Sequence, residues 1–218
     1  MTIQHAKTIW SRFFESPLTV GAGQMLARAS ELRLPEPMLS LFINAYIAAY
    51  GVDMRSVVTP PDGFGCFGDF FARRLRPEAR PVSRDFETVV SPCDAAVLEV
   101  GRIEDSATRL VVIKDTRYSI RDLIGDADVA AGLAGGGYCV LYLHPRDYHR
   151  VHVPMDGTLR AVRHMPGARY PMAPWTFGFS DGALGKSEGA RVEDLGGDWN
   201  RTMIYKTPAH CTNPFDLL

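Results

Sequence analysis

The sequence predicts an α+β chain: N-terminal helices followed by a mainly antiparallel β domain that is incomplete at its C-terminal end. Three observations predict this. Apolar residues recur at helical spacing up to about residue 56. From Val89 the text turns into short β-rich runs separated by turn residues. Beyond about Trp175 sustained alternation fades. With 218 residues, 46% of them hydrophobic and 22% charged, the chain can build a core and suits one domain with an appendage, or two small domains.

The elements follow in order. Trp10, Phe13 and Phe14 fall at helix spacing, and Met25, Leu26, Ala29 and Leu32 form one stripe. Pro35 and Pro37 end that helix and open the next, expected over 38–50 with Gly51 as its C-cap. Spacing favours core packing for these helices, while their Trp, Phe and Arg content also suits a membrane interface. The run "PMLSLFINAYIAAYG" falls short of the roughly 20 apolar residues of a spanning helix. The N-terminus lacks the apolar stretch of a secretory signal. A Pro/Gly break at "TPPDGFGCFG" precedes "DFFARRLRPEARPV", whose arginine cluster reads as a solvated basic turn or as a patch for an anionic headgroup. Then come the β-rich runs "VVSPCDAAVLEVGRI", "RLVVIKD", "YCVLYLHP" and "HRVHVPMDGTLRAVRHM", with one short helix expected in "YSIRDLIGDADVAAGLAGG". The last 43 residues read as loop with one strand, "TMIYK". The expected division is 1–58 helical, 59–175 β-containing and 176–218 a divergent tail.

Composition narrows the function. A net charge of −1 gives no support for nucleic acid as a partner. Cys66, Cys93, Cys139 and Cys211 form no C-x-x-C pair and read as reduced thiols of a cytosolic compartment.

The stretch "LHPRDYHRVHVPMDG" (143–157) carries His144, His149 and His152. On a flat strand Tyr148, Arg150 and His152 point to one face and His149 and Val151 to the other. His149 and His152 therefore cannot meet at one metal ion, and neither H-E-x-x-H nor a cysteine at ligand spacing is present. No metal is expected. Acid–base chemistry needs a histidine whose tautomer a carboxylate fixes. Asp94, held behind Pro92 in "VVSPCDAAV", is a candidate partner. The residues alone leave a catalytic dyad and a strand with satisfied histidines both open.

Four segments together resemble the phosphatidylserine decarboxylase family: "FFARRLRPEARPV", "VVSPCDAAV", "YSIRDLIG" and "LHPRDYHRVHVPMDGTL". They match its FF-x-R-x-L-x-P-x-x-R-P, S-P-x-D-G, Y-S-[IL]-x-x-L-[IL]-G and P-R-D-Y-H-R-x-H-x-P-x-x-G patterns, over residues 65–175. The resemblance implies conversion of phosphatidylserine to phosphatidylethanolamine and CO2 at an anionic phospholipid surface, with helices that contact membrane and a peripheral place on its cytoplasmic side. It implies a pyruvoyl cofactor, made when the chain cuts itself at a Gly-Ser bond, because decarboxylation of an α-amino acid needs a carbonyl electron sink. By motif, Asp94 resembles the orienting acid, His152 the base that activates the serine, and His149 the histidine beside substrate and pyruvoyl. Tyr148 and Arg150 look more structural.

Two departures qualify this. Ala95 stands where the family has Gly. None of the 20 glycines is followed by serine, and only Gly157 precedes an aliphatic hydroxyl residue, Thr158. "KSEGARV" replaces the family's N-E-R-V-V segment, so the end of the chain reads as frameshifted or recombined. The expectation is a phosphatidylserine decarboxylase-like protein, complemented by a separate C-terminal chain. The alternative is a catalytically dead fragment acting at most as a lipid-binding module.

Overall fold

Two helices lead the chain because prolines and a glycine punctuate its apolar text. The computed structural model describes residues 17–83, 85, 88–103, 110–113, 116–167, 189–196 and 199–206; the helix expected around Trp10, Phe13 and Phe14 lies outside them. Helix α1 spans Pro17–Ser30 and α2 spans Glu36–Tyr50. Helix α2 begins two residues earlier than expected, since Pro37 sits in its first turn, where a missing N–H breaks no helical bond. It ends at Gly51, whose left-handed φ of 67° lets its N–H reach the Ile47 carbonyl at 2.9 Å.

Strand β1 (Val57–Val58) pairs antiparallel with β2 (Arg74–Leu75), and helix α3 (Phe67–Phe71) lies between them in sequence. Leu39 and Ile43 of α2, Val52, Phe67, Phe70 and Phe71 pack into one buried cluster. Full burial of an aromatic of this size is worth roughly 1.5–3 kcal/mol, so this short helix is held by its aromatics rather than by its length.

A second core lies further along. Strand β3 (Ala96–Arg102) pairs antiparallel with β6 (Gly137–Tyr142), with a bulge between Val97 and Glu99. Strands β4 (Leu110–Ile113) and β5 (Thr116–Ser119) make a hairpin. The single helix expected after β5 is two: α4 (Ile120–Ile124) and α5 (Ala127–Gly132). Gly125, at φ 72°, ends the first, and the Asp126 carboxylate accepts from the Asp128 and Val129 N–H groups to start the second. Ile103, Tyr118, Ile120, Leu123, Ile124 and Ala130 form this core.

The third unit is an antiparallel sheet of β7 (Thr158–Met165), β8 (Gly189–Gly196) and β9 (Trp199–Lys206). Strand β9 contains the expected "TMIYK"; β8 was not expected. Ala190, Arg191, Val192 and Glu193 alternate apolar with charged, but Asp194 directly after Glu193 breaks the pattern after four residues. Its register pairs Gly196 with Trp199, leaving Gly197-Asp198 as the connection, a two-residue hairpin signal that was present in the sequence. The architecture is thus α+β with antiparallel sheets, as the patterning predicts.

Candidate active site: the histidine loop and the strand that crosses it

Residues 144–154 contain no regular strand, yet nearly every polar group in the first half of this loop is tied down. It opens with a tight turn. The Asp147 N–H donates to the His144 carbonyl at 2.8 Å, and the Asp147 carboxylate accepts the His144 N–H at 2.7 Å. Pro145 inside the turn presets its backbone.

Four groups strap this turn to the first core. The Tyr46 hydroxyl donates to the Pro145 carbonyl at 3.0 Å. Arg73 Nη2 donates to the carbonyls of Arg146 and Asp147, both at 2.8 Å. Arg150 Nε donates to the Ala72 carbonyl at 2.8 Å, and the His149 ring lies on Phe71 with centroids 4.0 Å apart. His149 is 3% exposed, and its Nε2 sits 3.0 Å from the His144 carbonyl. A carbonyl only accepts, so Nε2 carries the proton and the basic lone pair of the neutral ring is on Nδ1.

Arg73 is the costly member. It is 3% exposed and lies over the Phe70 ring at 5.4 Å, and its Nε and Nη1 have no hydrogen-bond partner among the described residues. Burial pulls its pKa below the usual arginine value, while the phenol of Tyr46 and the carboxylates of Asp147 and Asp94 oppose that pull. Burial pushes the Tyr46 phenol well above the usual tyrosine range.

The second half of the loop meets a different segment. The Val90 N–H donates to the Pro154 carbonyl at 2.8 Å and the His152 N–H to the Pro92 carbonyl at 2.7 Å. These bonds lay residues 90–94 across residues 152–154. Here the His152 ring is exposed and stacks on Tyr148, with an interplanar angle of 19° and its Nε2 3.0 Å from the Tyr148 hydroxyl. Asp94 is gripped by Arg80: Nε reaches Oδ1 at 2.7 Å and Nη2 binds Oδ2. The Arg80 guanidinium is raised in pKa chiefly by this bond. Neighbouring Cys93 is pushed up to about 11 by burial, with Asp94 adding to the rise, so it is a neutral thiol at physiological pH.

The three candidate residues are thus placed unequally. Asp94 and His152 share the crossing, but the Asp94 carboxylate bonds to Arg80 and the His152 ring to Tyr148. His149 belongs to the buried side of the loop with Val151. The alternation expected of a strand does not hold: no ladder forms, Tyr148 is buried like His149 and Val151, and Arg150 reaches Ala72 next to the Phe71 that His149 packs on. Among the described residues no group of three or more His, Cys, Asp or Glu could hold a metal ion. Tyr46 received no role from the sequence, and Arg73 and Arg80 were read only as members of a solvated or headgroup-facing arginine cluster, from which the buried Arg73 departs. The signal for the two arginines was their place: Arg73 follows a phenylalanine pair that had to be buried, and Arg80 is fixed beside Pro81.

Comparison with known proteins decides what this arrangement belongs to. The profile of the phosphatidylserine decarboxylase family matches residues 67–189, from α3 through the crossing to the start of β8. The chain belongs to the phosphatidylserine decarboxylase family. Its curated relatives are named as proenzymes. That of Anaeromyxobacter sp. (strain K) is 41% identical over 167 residues, covering 75% of this chain and 58% of the relative. Those of Bordetella bronchiseptica and Saccharophagus degradans are each 38% identical, covering 70% and 62% of this chain and 51% and 48% of the relatives. The chain therefore spans about half the length of the curated relatives it matches. The decarboxylase family is pyruvoyl-dependent. The residues at the crossing offer acids, bases and cations, but none is a carbonyl electrophile, and no glycine of the sequence precedes a serine. The group does not fit onto these residues alone, and no step through it is assigned to them.

Proposed function

We propose that this chain supplies the acid–base and lipid-facing half of a phosphatidylserine decarboxylase, with a Gly-Ser-bearing segment of another chain supplying the carbonyl. The observation that carries the reading is the crossing: it brings together three separated motif segments, residues 70–81, 91–95 and 144–157. In this reading His152, the exposed ring, is the base that takes the proton of the incoming serine hydroxyl. Asp94 orients that imidazole when it is released to do so. His149, with its tautomer fixed by the His144 carbonyl, holds a proton position on the buried side, near where the serine headgroup is decarboxylated.

The substrate would arrive from a bilayer. Helices α1 and α2 expose Met25 (72%) and Leu41 (73%), along with Leu26, Met38 and Phe42, and Leu32 in the segment between them is exposed too. Exposed Arg28 and Arg33 lie in the same stretch of chain. Apolar side chains beside arginines suit an interface containing anionic lipid. No helix among the described residues is long and apolar enough to cross a membrane, so the contact would be interfacial.

The test is complementation. The purified chain is mixed with the C-terminal half of the Anaeromyxobacter relative, expressed with its own cleavage site, on phosphatidylserine vesicles. Expected are cleavage of the added piece, a carbonyl trapped by hydroxylamine, and CO2 release, all lost in His152→Ala. The 24.1 kDa chain alone is expected to bind the vesicles and release no CO2. Vesicle binding without any cleavage in the mixture overturns the catalytic half of the reading and leaves a lipid-binding module.

A further inference from the structure

The Arg80–Asp94 pair is the feature of the crossing that no role above explains. Both carboxylate oxygens of Asp94 are occupied by one guanidinium, through Nε and Nη2. Two residues earlier, the Pro92 carbonyl accepts the His152 N–H at 2.7 Å, so the backbone holds Asp94 and His152 in one place. Their side chains nevertheless face different partners, Arg80 for the acid and Tyr148 for the imidazole. The charges of Asp94, Arg80, Arg74 and Arg150 all act on the Tyr148 phenol that His152 bonds, so these groups share one electrostatic neighbourhood. A fork-to-carboxylate pair is stronger than a single bond from a neutral imidazole. In the state seen here the acid therefore stays with the arginine.

We propose that Arg80 is a positioning residue that competes with His152 for Asp94, holding acid and imidazole apart until the guanidinium lets go. The inference rests on the reading of Asp94 and His152 as an acid–base pair. The latch is built to open. The Arg80 side chain is 53% exposed and that of Asp94 25%, and pairs in such settings contribute little to folding. Arg80 directly follows a single 3₁₀ turn (Pro77–Ala79) rather than sitting within a long element. Anything that offers the guanidinium another anion, such as a lipid phosphate at the adjoining surface, would free Asp94 to turn to His152. Arg80 would then couple arrival at an anionic surface to assembly of the acid–base pair.

The experiment is a double-mutant cycle read by NMR titration of isotope-labelled histidine in the full chain, with the His152 signal assigned by its loss in His152→Gln. Removing Arg80 also removes a positive charge, which alone moves the His152 titration midpoint. The decisive quantity is therefore the shift caused by Asp94→Asn in each background. With Arg80 present the shift is expected to be small, because the acid is already engaged. In Arg80→Gln it is expected to be several times larger, because a direct Asp94–His152 bond is lost, and a downfield imidazole N–H signal should accompany that bond. Arg80→Lys keeps the charge without the fork and should fall between; it also serves if Arg80→Gln does not fold. Equal Asp94→Asn shifts in the wild-type and Arg80-substituted backgrounds overturn the proposal. The titration needs neither pyruvoyl nor substrate, so a chain that fails to support decarboxylation can still pass this test, and one that supports it can still fail.

Discussion

The two histidines of one short loop live in opposite surroundings. His149 is 3% exposed, pressed on Phe71 and bonded to the His144 carbonyl. His152, three residues on, is exposed and held by its stacking on Tyr148 and one side-chain bond to it. The first is set by a packed aromatic wall that cannot yield without losing core. The second is set by polar contacts that exchange at little cost. A site of this kind separates the part that must be rigid from the part that must move, and substitutions on the two sides should differ accordingly.

The wall should give the largest effect. Phe70 is 0% exposed and contacts Tyr46, Phe64 and Phe67 by ring edges or tilted faces. Phe70→Ala is expected to lower stability by about 3–5 kcal/mol through lost burial and the cavity left behind. Urea unfolding measures it. A loss no larger than that of an exposed aromatic would mean the wall is not rigid, and the contrast between the histidines would collapse.

Arg73→Met comes next. It removes the donor shared by the Arg146 and Asp147 carbonyls, yet also removes a buried cation with two unpartnered nitrogens. The first change destabilises and the second relieves. The partly buried carbonyls lose a charged donor, so a net loss of about 1–3 kcal/mol is expected. His149 amide exchange should quicken more than that of His152, which lies on the other side of the loop.

Tyr46→Phe probes the same strap with a sign that pH reveals. Losing the bond to the Pro145 carbonyl should cost about 1 kcal/mol near neutral pH. Burial raises the folded phenol above its ordinary value of about 10. The unfolded chain therefore loses this proton first as pH rises. The stability that Tyr46 contributes is fully present below the unfolded pKa and drains away as pH climbs through it toward the folded value. Urea midpoints measured from pH 8 to 11 should fall more steeply for the wild type than for Tyr46→Phe. Parallel curves would place Tyr46 outside the wall.

How much of this was readable in the sequence follows the same divide. Helix α2, its Gly51 cap and the antiparallel strands announced themselves because each rests on local chemistry, a proline, a glycine or an alternation. Asp94, His149 and His152 stood out as a carboxylate behind Pro92 and a cluster of histidines, but their separate roles came from the family resemblance rather than from local chemistry. What the sequence could not show was which partner each would take. Arg73 and Arg80 lie seven residues apart in one basic cluster, yet one is buried under a loop some 70 residues later and the other binds a carboxylate 14 residues on. Those choices depend on non-local packing, which no short period in the text encodes. The split of the expected single helix at Gly125 and Asp126, by contrast, was local and readable from its turn and capping residues.

The smallest effect should come from the side that moves. Arg80→Gln breaks a two-point ion pair, but the pair is half in water, and exposed pairs contribute about 0–1 kcal/mol. Stability should therefore fall by no more than that, and raising the salt concentration should shrink the difference further, since screening acts on exposed charges more than on buried ones. The same substitution should disturb the His152 environment far more than its energy suggests, because it releases the carboxylate of the segment whose Pro92 carbonyl holds the His152 N–H. A large destabilisation would show that Arg80 belongs with the wall after all, as a structural clamp like Arg73. The combination of a small energetic loss and a large change at His152 is what a movable contact predicts and a rigid one does not.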